Sequence, residues 1–371
     1  MSRISLVRAA LLASLCSFSF ATHAAAEELG AGVVYTASNG LNGNAIIAFQ
    51  RARNGLLTPL GSTPTGGAGT GAGLGNGRGV VLSADDQWLL VVNAGSNDFT
   101  LFRTNERGLV ALTKVPSQGK TPVSIAINGD LIYVLNTGSD SIAGFRLDEQ
   151  TGSVAPLSNS VRPLSGANVG GAEIAFSPDG KNLVVTEKTT NRITIYGVEP
   201  TGLPSATPKI YSSQGQTPFG FAFDRERTLL VTNAAGGASN ASSVSSYRLA
   251  RDGSLSVDQG SVATNQTAAC WIAVTPGGRH AYTANTPAGS VSAFEVGARG
   301  DLILANGVAA SAGSSSKPID LAVDEEGRFL YVLDSGWQKI NAYSIATDGS
   351  LTPLASAYGG LPASANGLAV R

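Results

Sequence analysis

The chain has 371 residues, with 25 basic against 26 acidic side chains for a formal net charge of −1, and 46 glycines. That balance leaves no basic footprint for nucleic acid. Two histidines and two cysteines leave little from which to build an imidazole or thiolate metal centre.

In chain order, Arg3 and Arg8 lead into an apolar stretch over residues 9–20, and Ala24, Ala25 and Ala26 follow. This is the pattern of a secretory signal, cleaved before Glu27. The stretch is interrupted by Ser14, Ser17 and Ser19 and is too short to span a bilayer. Leu15 stands before Cys16, where a lipoprotein signal needs a small residue. The expectation is a soluble periplasmic or secreted protein with a signal peptide at 1–26, one domain at 27–371 and no membrane span in the mature form. Only Cys270 survives processing, so no intrachain disulfide is available.

From residue 35 onward one tetrad recurs: YTAS at 35–38, LVVN at 90–93, YVLN at 133–136, VVTE at 184–187, LVTN at 230–233, YTAN at 282–285 and YVLD at 331–334. The spacing averages about 49 residues, a propeller-blade period. Before each tetrad from the second onward comes an apolar triplet, at 80–82, 125–127, 174–176, 221–223, 272–274 and 321–323, and a seventh closes the chain at 368–370. We label the triplet strand a and the tetrad strand b. Alternating segments such as ITIYGV from Ile193 and VSAFEV from Val291 give strand c, and glycine turns such as those at 53–55 and 347–349 lead into a short strand d.

The middle residue of strand a is alanine in six of seven copies, at Ala126, Ala175, Ala222, Ala273, Ala322 and Ala369, with Val81 in the exception. Small side chains suit strands crowded about one axis. The chain begins near a strand b and ends on an orphan strand a, and circular closure pairs the two. The predicted fold is all-β: a seven-bladed β-propeller of four-stranded antiparallel blades, closed by the C-terminal strand joining the N-terminal blade.

The tetrads and the SPDG-like turn at 177–180 resemble the YVTN-type propellers, in particular the lactonase family with its propeller-type 6-phosphogluconolactonases and carboxymuconate-lactonising enzymes. The resemblance implies an active site of His, Arg and Glu on the face of the d-to-a and b-to-c loops. The family's Arg-His pair falls on Ala172 and Glu173, an earlier histidine at or beside Ser124, and a later arginine on Thr286; none is kept. Its glutamate falls on Glu187 and is kept.

Strand parity brings the start of every strand a and the end of every strand b to that same face. Glu173, Trp271 and Asp320 precede their triplets and form an inner ring; Glu187 and Asp334 end strand b in an outer one. Glu187, Glu173 and Asp320 are the candidate acids or bases. Trp271, Arg78, Lys120, Ser124, Asp334, Lys317 and Phe219 are candidates for binding. With His23 in the signal and His280 on the opposite face, no histidine reaches the mouth, which excludes a His-bound metal and a Ser-His-Asp triad. No cofactor motif is present, and calcium on oxygen ligands stays open. The glycine run at 66–79 fits no phosphate-binding pattern and reads as a mobile loop. Two functions follow: binding of a small polar ligand, a glycan or a protein at a funnel on this face or, alternatively, lactone hydrolysis or lactonisation by carboxylates there.

Overall fold

A computed structural model describes residues 32–371 apart from 106–107, 225–226 and 355–357. The expected signal segment, with Cys16 and His23, lies outside the described residues.

Seven antiparallel sheets form the ring, each running a-b-c-d outward from the axis. Blade 1 is composite. Its strand a is Asn366–Val370 from the C-terminus, and Gly32–Ala37, Ala45–Arg51 and Leu57–Pro64 supply b, c and d. Val34 pairs with Val370, Tyr35 with Ala369 and Thr36 with Leu368, so the orphan ends meet and no inner edge is left unpaired. Strands a of blades 2 to 7 are Val80–Leu82, Pro122–Asn128, Gly171–Phe176, Pro218–Phe223, Ala269–Val274 and Pro318–Val323. Each touches the strand a on either side of it, all round the circle.

The core is divided among seven apolar clusters. The β-branched and aromatic residues of strand b fill these layers because a pleated, two-sided strand suits them. Three buried strand b tyrosines also reach the next blade. Tyr133 donates to the Gly202 carbonyl at 2.7 Å, Tyr282 to Gly349 at 2.8 Å and Tyr331 to Gly55 at 2.9 Å. All three acceptors are c-to-d turn glycines at φ between 81° and 87°, a backbone region that disfavours side chains. Tyr331 thereby ties blade 7 to blade 1. The same junction carries the ion pair of Arg51 with Asp324, 3.3 Å apart and almost wholly buried.

Candidate functional site

The ring encloses an axial channel of about 490 Å³, lined by strand a residues of all seven blades. Glu173 of blade 4, Asp320 of blade 7 and Trp271 of blade 6 line it, together with Arg78 from the loop before blade 2. Glu173 and Asp320 are 5% and 8% exposed.

The channel does not open as a funnel on the long-loop face, where the glycine run crosses the axis. Trp271 donates from Nε1 to the Asn76 carbonyl at 2.7 Å, Asn76 Nδ2 donates to the Val123 carbonyl, Gly77 N–H to Ala172 O at 3.1 Å and Lys188 Nζ to the Gly75 carbonyl at 2.5 Å. Those partners belong to blades 3, 4 and 6. Glycine is what permits the crossing: a Cβ on Gly77 would stand 2.0 Å from Glu173 Oε2, and one on Gly79 would stand 2.9 Å from Asn366 Oδ1. The same crowding holds at Gly67 and Gly69, whereas a Cβ on Gly66 or Gly73 would meet nothing, so close packing accounts for part of the run expected as a mobile loop.

Beneath the crossing the electrostatics are unusual. Burial pushes Glu173 up to about 8, against the pull of Arg78 and the Phe221 N–H, which donates to Oε2 at 3.2 Å. Burial also raises Asp320 to about 7, opposed by the N–H groups of Leu321, at 2.8 Å from Oδ1, and of Leu368. Arg78 is half-buried, and burial lowers its pKa although both carboxylates favour its charge. Its side chain makes no hydrogen bond or close ion pair among the described residues, and its Nε is a buried donor without a partner. Two residues earlier, Asn76 Oδ1 is a buried acceptor without one. Such groups cost free energy unless something pairs with them. Of these two groups Arg78 lines the chamber, which therefore presents an unused donor beside two carboxyls that change charge near neutrality.

Other expected site residues lie elsewhere. Glu187 is fully buried inside blade 4, accepting from Ser165 N–H at 3.1 Å, Ser165 Oγ, Thr190 Oγ1 at 2.8 Å and Thr194 Oγ1 at 2.6 Å. Its carboxylate is consumed in holding neighbouring loops, which takes it out of the set facing a ligand. Asp334 does the same in blade 7, accepting from Ser316, Lys317, Gly336, Trp337 and Asn341. Asn93, Asn233 and Asn285 fill the equivalent position with similar networks. That shared repeat position was the signal that could have marked Glu187 as structural.

Ser124 is buried, its Oγ accepting from the Ile174 N–H at 3.0 Å between blades 3 and 4. Lys120 and Lys317 are exposed and do not line the channel. Phe219 packs against Trp271 with ring centres 5.0 Å apart, and Lys188 Nζ lies 4.9 Å from its centroid. Asn76 and Lys188, which hold the crossing, carry no pattern in the chain that marks either one. Cys270 is buried beside Trp271 and its thiol is pushed up to about 12, which makes it inert. Among the described residues, no three side chains of metal-binding type gather, and no helix is long and apolar enough to cross a membrane.

The model of the family described as lactonase, 7-bladed beta-propeller, matches residues 33–169, 161–238 and 234–358. Among proteins of curated function none matches the chain. Solved structures resemble it closely in fold. A candidate 6-phosphogluconolactonase from Bacteroides fragilis superposes with a TM-score of 0.74 at 20% identity, over 92% of this chain and 98% of that one. A protein from Lactobacillus plantarum reaches 0.75 at 17% identity, over 92% and 99%. The periplasmic gluconolactonase of Pseudomonas aeruginosa gives 0.72 at 18% identity, over 90% and 98%.

Proposed function

The chain belongs to the lactonase family of seven-bladed β-propellers, and from that premise we propose that it hydrolyses a lactone in the axial channel, with Arg78, Glu173 and Asp320 as the working groups. The observation that carries the reading is the Arg78 guanidinium, its Nε without a hydrogen bond, beside two carboxyls held near neutral pKa in one enclosed chamber. The names of the Bacteroides and Pseudomonas structures support the substrate class.

In this mechanism Arg78 donates to the lactone carbonyl oxygen and stabilises the oxyanion that develops there. Asp320, ionised in part at neutral pH, takes a proton from water as the water oxygen bonds to the carbonyl carbon. The tetrahedral intermediate collapses with cleavage of the bond to the ring oxygen. Glu173, still largely protonated at pH 7, supplies that oxygen with its proton. Lactone and water become one hydroxy acid, and proton exchange with solvent resets the two carboxyls. The same groups serve lactonisation in reverse. None of the family's histidine and arginine positions is used, because this chain does not keep them.

The N-terminal pattern supports action outside the cytoplasm, in the periplasm or beyond, and the Pseudomonas periplasmic structure agrees with that location. Purified protein should accelerate opening of glucono-δ-lactone or a muconolactone over the spontaneous rate, and Glu173→Gln should remove about 100-fold of the gain. Absence of turnover across a panel of sugar and muconate lactones, together with saturable binding, would favour a ligand-binding propeller instead.

A further inference from the structure

At the end of the channel remote from the Asn76–Arg78 crossing, the last triplet residue of every blade is large and apolar: Leu82, Ile127, Phe176, Phe223, Val274, Val323 and Val370. All seven are half-buried and all line the channel. Each packs its inner side against a different one of the seven apolar clusters, so each is a fringe of core turned toward the axis. The result is a continuous apolar collar. Phe176 lies three residues along strand a from Glu173, which puts the collar about 10 Å from the carboxyls.

We propose that the channel takes an amphiphilic ligand, a lactone or carboxylate head bearing an unbranched apolar tail, loaded through this collar with the head at Arg78 and the tail among the seven side chains. Charge and polarity at the two ends argue for that occupant. The closed end has the Arg78 guanidinium, whose buried Nε has no hydrogen-bond partner, which suits a carboxylate or lactone carbonyl. The open end has no polar side chain in its ring, so a polyhydroxylated sugar acid would leave its hydroxyls unpaired there, whereas an alkyl chain gains by burial. Entry from the long-loop side would require breaking the four hydrogen bonds that hold the crossing. The inference deepens the proposed lactone chemistry and rests on the same chamber.

The test is calorimetric titration of the full chain with butanoate, hexanoate, octanoate and decanoate, alongside gluconate, and turnover of δ-decalactone alongside glucono-δ-lactone. The dissociation constant should fall between about twofold and fourfold per added methylene until the tail outgrows the collar, with gluconate weaker than decanoate. Arg78→Met should weaken the whole series. Val323→Asp and Val274→Asp should abolish the length dependence; Val323→Thr, a milder change, should reduce it at least threefold with an unchanged melting curve. Affinity independent of tail length, or gluconate as the tighter ligand, overturns the proposal. Length-dependent binding without turnover of either lactone leaves the collar assignment standing and removes the hydrolase. Turnover of glucono-δ-lactone with no length dependence does the opposite.

Discussion

Trp271 and Asn76 are 195 residues apart in the chain, yet the indole Nε1 donates to the Asn76 carbonyl at 2.7 Å across the top of the channel. This bond joins blade 6 to the loop leading into blade 2 and makes the tryptophan a clasp as well as a wall. Its neighbours on the loop, Gly77 and Arg78, bring the guanidinium under cover.

Loss of the clasp should loosen the loop without unfolding the ring. Trp271→Phe keeps most of the apolar contact with Phe219 and removes the donor, so a stability loss of about 1 kcal/mol is expected. Amide exchange of residues 70–78 should accelerate while strand b amides stay protected; unchanged exchange in the loop would show that the bond does not hold it.

The raised pKa values fix the sign of a pH effect. Glu173 and Asp320 bind protons more tightly when folded, up to about 8 and about 7, than when unfolded, near their ordinary values of 4.5 and 3.8. Between those limits the native state holds more protons, so stability falls as pH rises from about 4 to about 8 and levels off above. Glu173→Gln should flatten the upper part of that slope in denaturant titrations at pH 5, 6.5 and 8.

The same two groups set the expected rate profile. Hydrolysis needs one carboxyl ionised and the other protonated, so kcat/KM should be bell-shaped with a maximum between about 7 and about 8. The limbs belong to the pair as macroscopic constants. A profile that rises monotonically to pH 10 would contradict these roles.

Ring closure should be the point most sensitive to mutation. Arg51→Ala strands the buried Asp324 carboxylate and should cost roughly 3–5 kcal/mol, whereas Tyr331→Phe loses one bond to Gly55 and should cost roughly 1–2 kcal/mol. Deleting residues 366–371 leaves the inner edge of strand b of blade 1 unpaired, and association or aggregation should follow in sedimentation experiments.

The repeat was legible because a blade is a local object. Its tetrads, turns and alternating strands answer to neighbours within about 50 residues of chain, and the terminal orphans at Gly32–Ala37 and Asn366–Val370 implied closure by elimination. Strand parity likewise sent Glu173, Trp271 and Asp320 toward the axis, where they line the channel. What only the tertiary structure decided is where each side chain spends its hydrogen bonds. Glu187 and Asp334 end the same strand as the asparagines of sister blades, and loops from outside that strand absorb their carboxylates. The Nε of Arg78, by contrast, is left without a hydrogen bond. That outcome depends on a glycine run folding flat over the axis and on bonds spanning 113 and 195 residues. Local pattern carries no record of such contacts, because they form only between groups that the closed ring brings together.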